Sequence, residues 1–295
     1  MTWLQRSLPV WVTAADRAET SKAEGEARGC ALWGERESMQ FSKWEGLGND
    51  YLILEEESLP APLTTRSIGI LCHRHVGIGS DGILLRCHPS GAVPGAVARM
   101  RIFNPDGSEP EMCGNGIRQF ARYLRARGLV SEDEFVVETL AGPIRPTLLA
   151  DGRVRVDMGV ARFVSPAVES ALLGMPAEQD VVSVPFTFGE GLEPLGITFV
   201  DVGNPHCIIP VADPEKVPLE TLGPLIENHS LFPKRVNVEF IAPLSDGAVR
   251  MRVWERGVGE TQACGTGATA VGAAAVRLGL AASPVVVRLN GGDLE

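Results

Sequence analysis

At 295 residues the chain exceeds the usual size of one domain, so two domains of similar size are expected. Its 44% hydrophobic and 22% charged residues match an ordinary folded protein, while a net charge of −10 without any Lys/Arg run speaks against a nucleic-acid or membrane partner. No apolar stretch reaches the ~18 residues of a membrane span, and six cysteines without a CxxC pair suggest neither a disulfide framework nor a zinc site.

With no export signal read in Met1 to Pro9, these features lead us to expect a reduced, cytoplasmic setting. Residues 1–38 are polar, Ala/Glu-rich and without sustained periodicity, and read as a disordered extension or a misassigned start. Regular patterning begins at Met39-Gln40-Phe41. Strands are expected at Tyr51–Leu54, Ile83–Leu85, Met100–Phe103, Phe135–Glu138 and Val154–Asp157, then at Thr198–Val202, Val236–Phe240, Val249–Val253 and Pro284–Leu289. Ile117, Phe120, Ala121 and Leu124 fall at i, i+3, i+4 and i+7, which predicts a helix that Gly128 stops. Residues 268–278, rich in alanine with Val271, Ala274 and Leu278 on one side, predict a second helix, buried all round and ended by Gly279. A linker near Gly159 to Ser165 divides the chain into 39–158 and 159–295.

The two halves are copies of one unit. An offset of 151 relates Cys113 to Cys264, Gly114 to Gly265, Gly116 to Gly267, Glu109 to Glu260, Gly128 to Gly279 and Met100 to Met251. A weaker echo at 155 relates Gly48-Asn49 to Gly203-Asn204. The expected fold is therefore α+β, two pseudo-symmetric domains, each a central helix wrapped by mostly antiparallel strands. Internal comparison also predicts roughly fifteen further residues, about two strands, beyond Glu295, and lower stability without them.

The repeat places one cysteine before a glycine-flanked turn at the start of each helix. Unpartnered N–H groups and the helix dipole stabilise an anion there, so both thiols are expected to ionise easily. The bland alternative is two small core residues, which the shared register and shared glutamate make the weaker reading. Glycines let backbone N–H groups approach a small anion such as a carboxylate.

Other motifs carry less. Gly77-Ile78-Gly79-Ser80-Asp81-Gly82 matches a dinucleotide fingerprint, but a strand-like run follows where a helix is required. Gly265-Thr266-Gly267-Ala268-Thr269-Ala270 opens a helix with too little chain after it. Cys72-His73-Arg74-His75 lacks further ligands and reads as a helix end, so no metal is expected. Cys30, Cys72, Cys87 and Cys207 read as structural, whereas His206, in a Gly/Asn turn, reads as functional. None of the four lysines lies in a pyridoxal phosphate motif, which favours chemistry without a cofactor.

Two matched thiols, one thiolate and one thiol, could remove a proton from one face of a carbon and return one to the other. Glycine-loop N–H groups would stabilise the charge that spreads into an adjacent carboxylate. Nucleophilic and redox uses remain open, but neither needs duplicated anion-binding loops.

The segments Gly46-Leu47-Gly48-Asn49-Asp50, Asn104 to Glu109, Met112 to Gly116, Gly203-Asn204-Pro205-His206, Asn237, Glu255-Arg256-Gly257 and Ala263 to Gly267 closely resemble diaminopimelate epimerases, from about residue 39 onward. The resemblance implies a pyridoxal-phosphate-independent homodimer that interconverts LL- and meso-diaminopimelate for lysine and peptidoglycan synthesis. It implies Cys113 and Cys264 as the acid/base pair, with His206 and Glu255 tuning them. Gly114, Asn115, Gly265 and Thr266 would bind the reacting carboxylate, Asn49, Asn104, Asn204, Asn237 and Arg256 the rest of the substrate, and Glu255 its ammonium group. Gly82 departs from the family, where several members carry a substrate-contacting glutamine. The alternatives are a racemase of the same superfold acting on another amino acid, such as proline or histidine, and a non-catalytic binding or thiol-redox protein. Reversible inactivation by oxidants, through a disulfide between the two thiols, is also expected.

Overall fold

In the computed structural model, the structure describes residues 7–14, 23–28, 38–164, 167–176 and 178–295. Two compact units divide the chain, one of residues 16–156 and one of 1–15 with 157–295. Within 1–38, the stretch that reads as an unpatterned extension, two segments are strands, β1 (Ser7–Ala14) and β2 (Ala23–Arg28). Extended chain can pair with a sheet edge through its backbone alone, which explains why periodicity gives no sign of them.

The N-terminal unit continues with β3 (Ser38–Gly46), β4 (Asn49–Glu55), α1 (Thr65–Cys72), β5 (Gly82–Cys87), β6 (Ala96–Phe103), α2 (Gly114–Ala126), β7 (Val136–Thr139), β8 (Gly142–Ile144) and β9 (Pro146–Leu148). Strands β2 to β8 form one sheet in chain order, with β4–β5 and β6–β7 parallel. Helices cover both of its faces. Ile68 and Leu71 of α1 pack with Leu52, Leu54, Ile83 and Leu85. On the other face α2, whose Ile117, Phe120, Ala121 and Leu124 are all buried, contacts β3 and β4. Residues 51–54 are consequently buried in unbroken succession rather than in alternation.

The C-terminal unit takes the chain from within β10 (Val154–Arg162), through β11 (Val184–Phe186), β12 (Leu195–Asp201), β13 (Pro205–Pro210), α3 (Leu219–Glu227), β14 (Asn237–Pro243), β15 (Val249–Glu255), β16 (Gly259–Glu260), α4 (Gly265–Arg277), β17 (Val287–Arg288) and β18 (Asp293–Leu294). Strand β10 runs without a break through Gly159, where the sequence suggests a linker. The construction is that of the first unit: β13–β14 is parallel, as β4–β5 is, with α3 on one face and α4 on the other. Strand β1 belongs here and pairs with β18 through Ala14 and Leu294. The fold is α+β and duplicated, with a second helix per unit, α1 or α3, beyond the single central one that periodicity predicts.

Candidate active site

Each cysteine is the N-cap of its helix. Cys113 holds an extended backbone (φ −139°, ψ 117°) before α2, and its Sγ accepts from the Gly116 N–H at 3.3 Å. Cys264 (φ −127°, ψ 112°) repeats this before α4, accepting from Gly267 N–H at 3.3 Å. Sulfur thus replaces the usual Ser or Asp oxygen of a cap. The glycine three residues on is closely packed: a Cβ on Gly116 would lie 3.0 Å from Leu84 Cδ2, and one on Gly267 2.8 Å from Met251 Cε and 3.2 Å from Cys264 Sγ. Gly114, Asn115, Gly265 and Thr266 occupy the first turns, where backbone N–H groups have no partner within the helix.

Around Cys264 the expected residues form a connected network. Thr266 Oγ1 lies 3.5 Å from the thiol and accepts from Asn204 Nδ2 at 3.2 Å. Asn204 Oδ1 lies 3.0 Å from His206 Nε2, and His206 Nδ1 lies 2.5 Å from Glu239 Oε1. Asn237 donates to the Pro205 carbonyl and accepts from the Arg256 N–H, each at 2.9 Å. The Arg256 guanidinium is exposed and donates to the Lys234 carbonyl at 3.1 Å. Glu255 is hydrogen-bonded to Thr261 and to the Cys264 thiol.

The electrostatics correct one expectation. Burial pushes the Cys264 thiol well above its ordinary range, and the Glu255 and Glu239 carboxylates push it further, against the Thr266 and Gly267 hydrogen bonds. Desolvation and two nearby acids outweigh a helix start, so Cys264 is a protonated thiol at neutral pH rather than an easily ionised one. Burial likewise raises Glu239, opposed by His206, and raises Glu255, opposed by Thr261 and Cys264.

The N-terminal residues are more dispersed. Tyr51 Oη lies 3.3 Å from Cys113 Sγ. Asn49 donates through Nδ2 to Asp81 at 2.9 Å, and its carbonyl accepts from Gln119 at 2.9 Å. Asn115 Oδ1 accepts from Arg118 at 2.7 Å. Asn104 closes its own turn, its N–H on the Ser108 carbonyl at 2.9 Å and its Nδ2 on Ser108 Oγ at 3.0 Å. Of the remaining cysteines, Cys72, Cys87 and Cys207 are buried in the two cores, and burial raises each, Cys87 to about 12. Cys30 lies outside the described residues. His73 ends α1, its Nδ1 accepting from the His75 N–H at 3.1 Å, while Arg74 pairs with Asp50 and Asp81. Among the described residues no group of His, Cys, Asp and Glu has the arrangement of a metal site.

Two residues escaped the sequence reading, Glu239 and Tyr51. An acid inside the apolar run Val238-Glu239-Phe240-Ile241 was a usable signal, since nothing but a buried partner makes it tolerable. Tyr51 offers no such sign, because a tyrosine in a strand is unremarkable.

The sequence model of the diaminopimelate epimerase family matches residues 41–164 and 198–295. The chain is 46% identical over 265 residues to the diaminopimelate epimerase of Moorella thermoacetica, covering 87% of this chain and 90% of that protein. It is 49% identical over 266 residues to the diaminopimelate epimerase of Desulforudis audaxviator, with the same coverage of 87% and 90%. A probable proline racemase from Agrobacterium radiobacter shares the fold, at a TM-score of 0.56 and 18% identity, over 87% of this chain and 83% of that one.

Proposed function

The chain belongs to the diaminopimelate epimerase family, and from that premise we propose that it interconverts LL- and meso-diaminopimelate with Cys113 and Cys264 as its acid/base pair. The observation that carries the roles is the twice-made cap: in each unit a cysteine sulfur sits at a helix start, 3.3 Å from the backbone nitrogen of a closely packed glycine.

One sulfur, as thiolate, takes the α-proton from one face of the substrate carbon. The other, as thiol, returns a proton to the opposite face. The electron pair left on carbon spreads into the adjacent carboxylate, whose oxygens the N–H groups of Gly114, Asn115, Gly265 and Thr266 suit as donors. Cys264, protonated at rest, fits the donor in one direction of the reaction. In the other direction it must give up its proton, and Glu255, hydrogen-bonded to it, is placed to tune that step. The exposed guanidinium of Arg256 suits the carboxylate at the far end of a long substrate, with the asparagine side chains orienting the rest. The same reading carries a homodimer, a cytoplasmic setting and chemistry without a cofactor.

Incubating the protein with LL-diaminopimelate in D₂O tests the proposal. The meso isomer should form with deuterium at the inverted α-carbon, and Cys113→Ala and Cys264→Ala should each reduce interconversion at least 10³-fold. A wild-type protein that forms no meso isomer and exchanges no deuterium sinks it.

A further inference from the structure

The duplication extends below the helix starts. Across the parallel pair β4–β5, Tyr51 lies beside Gly82; across β13–β14, His206 lies beside Asn237. The offset of 155 that relates Asn49 to Asn204 also relates Tyr51 to His206, Gly82 to Asn237 and Leu84 to Glu239. The helix starts verify the last of these in space. A Cβ on Gly116 would meet Leu84 at 3.0 Å, and one on Gly267 would meet Glu239 Oε1 at the same 3.0 Å. Where the C-terminal unit places a histidine, asparagine and glutamate, the N-terminal unit therefore has a tyrosine, glycine and leucine.

We infer that Tyr51 is a positioning residue for Cys113, its hydroxyl holding the sulfur at the start of α2, and that Gly82 is a glycine in order to admit the Tyr51 ring. This rests on the reading of Cys113 as an acid/base group.

Tyr51 is 6% exposed, and its Oη stands 3.3 Å from the sulfur, as the Gly116 nitrogen does from another direction. When the sulfur is a thiolate, both groups donate to it. At Cys264 the second hydroxyl comes instead from Thr266, within the helix itself. The α2 residue in that register is Asn115, whose Oδ1 accepts from Arg118. A hydroxyl for Cys113 is thus supplied from the sheet. Gly82 leaves the space for it: a Cβ there would lie 2.8 Å from Tyr51 Cε1 and 2.7 Å from the Phe103 carbonyl. Any larger residue at 82 must displace the ring or open the β5–β6 ladder. The pair Tyr51 and Gly82 therefore acts as one unit, and a side chain that reaches toward substrate from position 82 is incompatible with a tyrosine at 51.

Tyr51→Phe isolates the hydroxyl, because phenylalanine keeps the ring and with it the access to Cys113. In the 295-residue chain, alkylation of Cys113 by iodoacetamide at pH 7, followed by peptide mass spectrometry, should slow about tenfold while that of Cys264 is unchanged. The melting temperature should stay within a few degrees, and kcat should fall about tenfold with KM held. Gly82→Ala should slow Cys113 alkylation at least as much, and adding Tyr51→Phe to it should cost nothing further. Wild-type alkylation of Cys113 in a folded Tyr51→Phe protein overturns the role of Tyr51, whatever the epimerase assay gives. Additive losses in the double variant overturn the role of Gly82. Alkylation never touches the substrate, so both results stand apart from failure of the epimerase reading, which shows as a wild-type protein without deuterium exchange.

Discussion

Cys113 and Cys264 share a backbone conformation, a donor at 3.3 Å and a glycine three residues later, yet different residues lie beneath them. Cys264 has Glu239, Glu255 and, beyond Glu239, His206. At the related positions around Cys113 stand Leu84, Asn104 and Tyr51, none of them charged at neutral pH. Duplication conserves the close packing at the helix start, while the layer beneath supplies the acids that raise the Cys264 thiol.

The sharpest way to break this comparison is to exchange the layers. Leu84 is fully buried, so Leu84→Glu places a carboxylate opposite Tyr51 instead of a histidine. A cost of several kcal/mol is expected at pH 7, easing at pH 4 as the acid protonates. Adding Tyr51→His should recover part of it by recreating the pair of His206 and Glu239. Thermal melts of the single and double variants at both pH values check this, and an unrescued double variant means that the two layers are not interchangeable parts. A smaller effect is expected from the glycines. Gly267→Ala crowds Met251, Glu239 and the sulfur, Gly116→Ala mainly Leu84 at 3.0 Å. Overpacking costs ~1–3 kcal/mol, and Gly267→Ala should fall at the upper end with the larger loss of activity. Equal losses in denaturant melts and turnover would remove the steric distinction between the two sites.

The duplicated caps were legible because they are local: a cysteine, flanking glycines, a 3.6-residue period and a stop glycine all lie within one helix length. Helices α1 and α3 were not. The first has eight residues with Gly69 among them, the second carries Gly223 and Pro224, and in each case packing against an apolar sheet overrides poor propensity. Missing them concealed the parallel pairs β4–β5 and β13–β14 as well, because parallel strands need a crossover and these helices provide it there. The raised Cys264 thiol escaped for a related reason. A helix start can be read from neighbours in sequence, but the acids that raise Cys264 arrive from β14 and β15, and burial is a tertiary property. The repeat did carry a trace of it, in the substitution of Leu84 by Glu239 and of Tyr51 by His206 within one register.

The smallest expected effect separates the units by pH. Asp50, next to Asn49, would be raised by its burial, but hydrogen bonds from Arg74 and Lys43 hold it at about 2. Arg74 Nη2 lies 2.7 Å from Asp50 and Lys43 Nζ 2.8 Å, and Arg74 is half exposed. Because the folded state lowers this acid, its contribution is present above the unfolded value near 3.9 and is lost as pH falls toward about 2. Screening at the exposed guanidinium keeps that contribution to ~1 kcal/mol. Glu239 has the opposite sign: folding raises it, so its contribution is complete below the ordinary glutamate range and is lost as pH rises through the folded value. Asp50→Asn should therefore lower the melting temperature by a few degrees at pH 7 and by progressively less toward pH 3. For Glu239→Gln, which mimics the protonated acid, any deficit against wild type should shrink as pH rises from 4 to 8. Parallel pH dependences for the two variants would show that these two carboxylates are not held in opposite senses.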